Sequence, residues 1–447
     1  MPTSQGTRAR GAARLVAVAT ALVAAALLSS SALGRWSASP AGPRVFVSPT
    51  GSDTNPCTRA RPCKTFQRGY QAARPGDTVE VAGGTYPAQT LAADPRKSSA
   101  NRVVFAPAPG ASVDVALLDV GQQLSGVPAP SHVEIRAMRI TWTTVWTGAE
   151  DIVLRGVIGN WFDVLGGDHV SILGGSFGPC QAPAEGACTP RLTGTNQVVD
   201  GATIHGMSSS DLVKHHVDGM FIRGCQGCAV RRTRFYGNMI TNIRLQNCCS
   251  LPPNQDVTIE NNWFAAPLQG DGKSPRSDGI DIDDTIPNLL IRNNSFGERV
   301  GISFNPGTHG GTRIVNNLML NLGCTAGVSY DANLFIPFSP YTGKKPCGSS
   351  DREVSTFGYV SPSAPDFHLQ PGSPAIGHGN AATCSSTDID GRVRPRSLPC
   401  DVGADQRLDT PACTKGKKPR TVWVSGIWLQ THPHPSLVAG ACPKKQG

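Results

Sequence analysis

Residues 256–264 read DVTIENNWF, and the pattern returns at 288–296 as NLLIRNNSF and at 312–320 as TRIVNNLML. In each copy an apolar position (Ile259, Ile291, Ile314) sits in a stretch of alternating apolar and polar residues, and three positions later comes an asparagine: Asn262, Asn294, Asn317. Alternation with a period of two is the signature of a strand. Weaker copies lie N-terminal to these: HVEIRAMRI at 132–140, DIVLRGVIG at 151–159, HVSILGGSF at 169–177, ATIHGMSS at 202–209 and CAVRRTRF at 228–235. They place the same apolar position at Ile135, Leu154, Ile172, Ile204 and Val230, with steps of 18 to 32 residues.

A second strand set interleaves with the first: WFDVLGG at 161–167, DGMFIRG at 218–224, TNIRLQN at 241–247, DGIDIDD at 278–284 and VGISFNP at 300–306. Repeats that cannot bury an apolar face alone do so by stacking, with strands about 4.8 Å apart. The spacing therefore predicts an all-β right-handed parallel β-helix, a β-solenoid. Asn262, Asn294 and Asn317 are expected to hydrogen-bond up and down the stack and satisfy the bend. The 23-residue step from Met220 to Ile243 equals that from Cys225 to Cys248. This predicts Cys225–Cys248 and Cys228–Cys249 bridges between adjacent coils.

Composition agrees. Charged residues are only 16%, against about 25% in ordinary domains. The 50 Gly and 36 Pro are 86 of 447 residues, below the roughly 25–30% that marks low complexity. Arg8, Arg10 and Arg14 precede an apolar run from Leu15 to Leu28 and then small residues, so residues 1–34 read as a secretory signal peptide. Nothing after it is long and apolar enough to span a bilayer. Secretion or display at the cell surface makes the 14 cysteines disulfide partners. Local pairs Cys57–Cys63, Cys180–Cys188, Cys324–Cys347, Cys384–Cys400 and Cys413–Cys442 are expected beside the two inter-coil bridges. The net charge of +9 contains no long basic run, which argues against nucleic acid.

The opening, with VSPTGSDTNP at 48–56, KTFQRGYQAARPGDTV at 64–79 and GTY at 84–86, resembles that of secreted parallel β-helix proteins of the pectate-lyase-like superfamily. The segment DFHLQPGSPAIGHGN at 366–380, continued by TDIDGRVRPRSLPCDVGADQ at 387–406, resembles the choice-of-anchor Q segment that closes many such helices. The resemblance divides the chain into an N-terminal cap and first coil at 44–110, coils at 111–335 and a C-terminal extension at 336–406. Residues 407–447 fall outside it. It implies the fold and export. The fold hosts lyases, hydrolases and non-catalytic binders alike.

Chemistry is expected where strand residues point outward. With Ile280 and Ile282 inward, Arg244, Asp281 and Ser303 share one outward column with Asp163 and Phe221. Arg223, Gln246, Asp283 and Asn305 share the next. Such a polar face suits a polysaccharide, an acidic one above all, met by a monomer. Asp281 and Asp283 are the candidate carboxylate pair, since outward residues two apart stand about 6.5–7 Å apart, inside the range for inverting glycosidases. Arg244 is a candidate base or carboxylate clamp for β-elimination. Arg223, Gln246, Ser303 and Asn305 are candidate substrate contacts. Asp281, Asp283 and Asp284 offer the oxygen ligands of calcium. SDGIDI at 277–282 resembles the NTDGID stretch of polygalacturonase-type hydrolases, which implies a role for Asp278. That family's partner Asp on the next coil and its GHG and RIK motifs are absent. His215, His216 and Asp218 resemble an H-x-D-G segment of secreted β-helices. Asp388 and Asp390 are read as a turn, and Trp142, Trp146 and Trp161 as possible sugar platforms. The alternative to an enzyme is a non-catalytic glycan-binding or surface module.

Overall fold

The computed structural model describes residues 45–123, 127–183, 187–210, 217–268, 277–337, 346–395 and 398–407. The expected signal peptide, the histidines His215 and His216, and the Cys413–Cys442 pair lie outside them. Among the described residues, thirty-one strands pair in one parallel sheet that winds along the molecule, which makes the chain a parallel β-helix. Among the described residues, Phe66–Ala72 is the one α-helix, and no helix is long and apolar enough to cross a membrane.

Each full coil contributes a strand to each of three ladders. The first runs through Ile135, Leu154, Ile172, Val199, Val230, Ile259, Ile291 and Ile314, paired in register from coil to coil. All eight are at most 1% exposed. Burial of such a side chain is worth roughly 1.5–3 kcal/mol, and one stands in every coil. Ile204 does not belong to this ladder; it pairs with Phe177 and Phe235 in the second. Val199 takes the first-ladder place, because the short segment Val198–Asp200 completes its coil before the bend.

The bend between the first two ladders uses left-handed residues. Arg232, Asn261, Asn293 and Asn316 have φ of 50°, 54°, 50° and 57°, a region that asparagine tolerates better than most side chains. The next residue turns inward. Asn262, Asn294, Asn317 and Asn333 form a buried ladder in which each Oδ1 accepts the backbone N–H and side-chain Nδ2 of the residue one coil back, at 2.9–3.1 Å. Thr233 N at one end and the Asp351 carboxylate at the other close it. The expected three-residue ladder is thus longer by one coil.

The N-terminal helix starts at the Thr65 cap, whose side chain accepts from Arg68 N. It buries Phe66 and Tyr70 over the first coil, with Phe66 stacked on Phe105 at 5.2 Å. At the other end, residues 346–395 and 398–407 carry an antiparallel hairpin, Tyr359–Ser361 with Asp366–Leu369, and dock onto the outward amides of the bend. Asn261 Oδ1 accepts from Ser385 Oγ, Asn293 Oδ1 from Ser385 N and Asn316 Oδ1 from Asn380 N. Arg394, 2% exposed, ties this segment together through six oxygens, Asn261 Oδ1 among them.

Cys57–Cys63, Cys180–Cys188, Cys324–Cys347 and Cys384–Cys400 are bonded as expected. The two inter-coil bridges are not formed: Cys225 bonds Cys228, and Cys248 bonds its neighbour Cys249. The register explains why. The 23-residue offset holds at Phe221–Arg244 and Ile222–Leu245, then the lower strand ends and the chain loops out. Pairing resumes with Gln226 opposite Gln255, an offset of 29. Cys225 N therefore faces Asn254 Oδ1 at 2.8 Å rather than Cys248. Peptide mapping under non-reducing conditions is expected to return Cys225–Cys228 and Cys248–Cys249. Fragments joining Cys225 to Cys248 would contradict the loop.

Candidate functional site

The third ladder carries the candidate site. Its strands include Trp161–Asp168, Arg191–Thr195, Phe221–Gln226, Thr241–Leu245, Ser277–Ile282 and Val300–Phe304. Inward positions are apolar and at most 6% exposed, from Phe162 and Val164 through Leu192, Ile222 and Leu245 to Ile282 and Ile302. The residues between them must face outward.

The outward column runs Thr144, Asp163, Arg191, Phe221, Arg244, Asp281, Ser303, each paired with the next. Arg223, Gln246, Asp283 and Asn305 extend the second column, since Gln246 N, Asp283 N and Asn305 N bond to the coil before at 2.9–3.2 Å. Two residues upstream of the first column, Trp142 and Trp161 stand in register with rings 4.7 Å apart.

Arg191 is a member that sequence reading missed. Its strand shows one inward apolar residue, Leu192, and a register shift before Gly194. Gly194 has φ +119°, and a Cβ there would lie 2.2 Å from Gly167 O, so no side chain fits. The available signal was the gap: Phe162 to Met220 spans 58 residues, room for two coils rather than one.

Charges on this face are arranged unevenly. Arg191 clasps Asp163 through two bonds of 2.8 and 2.7 Å. Arg244 clasps Asp283 at 2.8 and 3.2 Å and lies 3.8 Å from Asp281. Arg244 shares its column with Asp281 but pairs chiefly with Asp283. Burial would lower the Arg244 pKa, but Asp283 outweighs it and the net shift is upward. Arg244 stays a cation and is unsuited to act as a base.

Arg223 differs from both. Its guanidinium lies 3.8 Å over the Phe221 ring, and its Nε is buried with no hydrogen-bond partner. Burial first, then the like charge of Arg244, holds its pKa below the usual range. Asp281 is displaced the other way. Burial raises its pKa, and the Asp283 and Asp218 charges add to that; the Ser303 hydroxyl, donating at 2.8 Å, and Arg244 only partly offset the rise.

Asp284, Asn305, Asp218 and Asp278 have structural partners. Asp284 Oδ2 accepts Asn247 N at 2.7 Å, which pins the loop after Leu245. Asn305 Nδ2 donates to Asp283 Oδ1 at 2.8 Å. Asp218 Oδ1 accepts Thr241 N, and Thr241 Oγ1 donates to the Asp278 carbonyl. Asp281, Asp283 and Asp284, the candidate calcium ligands, thus each have a partner of their own. The group of three His, Cys, Asp or Glu side chains whose ligand atoms converge among the described residues is elsewhere, at His368, Asp390 and Asp405.

No model of a known protein family matches the chain, and no curated protein matches it either. Among solved structures, it is similar to XylC in complex with xylose at 9% identity, TM-score 0.44, over 82% of this chain and 98% of that one. It is similar to the pectate lyase Pel9A at 16% identity, TM-score 0.43, over 82% and 96%. A rhamnogalacturonan lyase follows at 16% identity, TM-score 0.39, over 72% and 91%.

Proposed function

We propose that the protein is secreted or displayed at the cell surface, binds an extended acidic polysaccharide along the outer face of the third ladder, and hydrolyses it there. Arg223 carries this reading. A half-buried, outward guanidinium seated on an aromatic ring, with no ion-pair partner among the described residues, suits a carboxylate from outside. Six disulfides among the described residues fit an oxidising compartment. The half-buried Trp142–Trp161 pair, with rings tilted 33° to one another, offers an apolar edge for sugar rings at one end of the face.

In the hydrolytic step Asp281 donates its proton to the glycosidic oxygen. Its environment favours the protonated acid, as a general acid requires. Asp283, two residues along the strand and held as an ion pair by Arg244, activates the attacking water. Elimination would need a base other than Arg244, and calcium ligated by Asp281, Asp283 and Asp284 would serve that route. One observation favours a second reading, binding without turnover: Asp283 is already bonded to Arg244 and Asn305.

Calorimetry with alginate and polygalacturonate oligosaccharides tests the binding claim. Arg223→Met keeps most of the apolar stem and is expected to weaken binding roughly 10–100-fold, the worth of a hydrogen bond to a charged group. Equal affinity for oligosaccharides whose carboxyls have been reduced to alcohols would overturn it. New reducing ends without ultraviolet absorbance support hydrolysis. Calcium-dependent absorbance supports elimination instead, and neither signal leaves a binding face.

A further inference from the structure

We infer that His368, Asp390 and Asp405 form a divalent transition-metal site, of the zinc class, that ties three pieces of the C-terminal segment to one another. One ring nitrogen of His368 and one carboxylate oxygen from each aspartate lie within 4.8 Å of one another. These three come from separate pieces of chain. His368 lies on the hairpin strand Asp366–Leu369, Asp390 on the 388–391 turn, and Asp405 on the closing stretch.

An independent observation points to a missing ligand. Asp405 has a side chain only 4% exposed. Its Oδ2 accepts Leu369 N at 2.8 Å, but its Oδ1 is buried with no hydrogen-bond partner. A buried carboxylate oxygen left so costs free energy unless a cation takes it. The guanidinium of Arg392 stands off at 3.9 Å.

The surroundings fit a metal. His368 Nδ1 lies 2.5 Å from Asp366 Oδ1, the carboxylate–histidine arrangement that orients a ligating ring and leaves Nε2 for the metal. Nε2 is 3.0 Å from Asp390 Oδ2. Trp263 packs edge-on against the ring at 4.9 Å and fixes its plane. Four carboxylates, Asp366, Asp388, Asp390 and Asp405, meet three guanidiniums, Arg234, Arg392 and Arg394. One imidazole with two carboxylates suits zinc rather than calcium, which takes six to eight oxygens. Ligands of a tetrahedral zinc stand roughly 3.4 Å apart, so the group draws in slightly. Arg392, 45% exposed, can swing out to allow it.

The test uses the whole chain, stripped by chelator and titrated with zinc chloride in a calorimeter, with cobalt(II) chloride as a spectroscopic probe. One zinc per chain is expected, with the visible absorbance of low-coordinate cobalt. Asp405→Asn is expected to remove binding while its amide oxygen still accepts Leu369 N, so the hairpin stays. Asp366→Asn, which leaves all three ligands, is expected to weaken binding about 10–100-fold. A wild-type chain that takes up no zinc overturns the site, and so does Asp405→Asn binding zinc as the wild type does. Neither outcome bears on Asp281 or Arg223, which lie on the third ladder.

Discussion

Asp281→Asn is expected to lower the rate of uronate-polymer cleavage by roughly 10²–10⁴-fold, the usual worth of a positioned general acid, with binding changed less than about threefold. The amide keeps the shape and can still accept from Ser303 Oγ, which stands 2.8 Å away, so the fold is not at issue. The pH profile gives an independent check. A proton donor works only while protonated. The upward shift of Asp281, from burial and from the Asp283 and Asp218 charges, carries activity above the range of an ordinary aspartate and ends it as pH rises through the shifted value. Ser303→Ala removes a hydrogen bond that favours the ionised form, so its alkaline limb should move to higher pH. A limb that stays put, or an Asp281→Asn enzyme with wild-type turnover, would remove Asp281 from the chemistry.

The second large effect concerns stability. Asn294 Oδ1 accepts from Asn262 N and Nδ2, and Asn294 Nδ2 donates to Ile259 O and Asn317 Oδ1, all at 2.9–3.0 Å. Every one of these side chains is fully buried. Asn294→Ala strands two donors of Asn262 and removes partners from the other two. At about 1–3 kcal/mol for each unsatisfied buried group, a loss of roughly 3–5 kcal/mol is expected in denaturant unfolding. A loss below about 1 kcal/mol would mean that water or backbone movement replaces the ladder.

The fold was legible because a β-helix writes its period into the chain. The apolar positions Ile259, Ile291 and Ile314 repeat wherever a coil follows the last, and Asn262, Asn294 and Asn317 repeat because each depends on its neighbours. The outward column of Arg244, Asp281 and Ser303 followed from alternation alone. Legibility failed where coils are irregular. Val199 was passed over for Ile204, since two short strands in one coil both show an apolar residue. Arg191 was hidden by the Gly194 bulge, and with it the Asp163 pairing. The inter-coil disulfides failed on a loop: a constant offset assumes that strands stay paired, and here pairing lapses after Leu245. Which carboxylate Arg244 prefers was beyond reach, because Asp281 and Asp283 share a strand and differ only in where the guanidinium comes to rest.

A crystal structure of the protein with a bound uronate oligosaccharide is the most direct measurement. The sugar chain is predicted to lie along the third ladder, with a carboxylate on the Arg223 guanidinium above Phe221 and a glycosidic oxygen within hydrogen-bond reach of Asp281. An oligosaccharide seated on another face of the helix, with Arg223 untouched, would contradict the account.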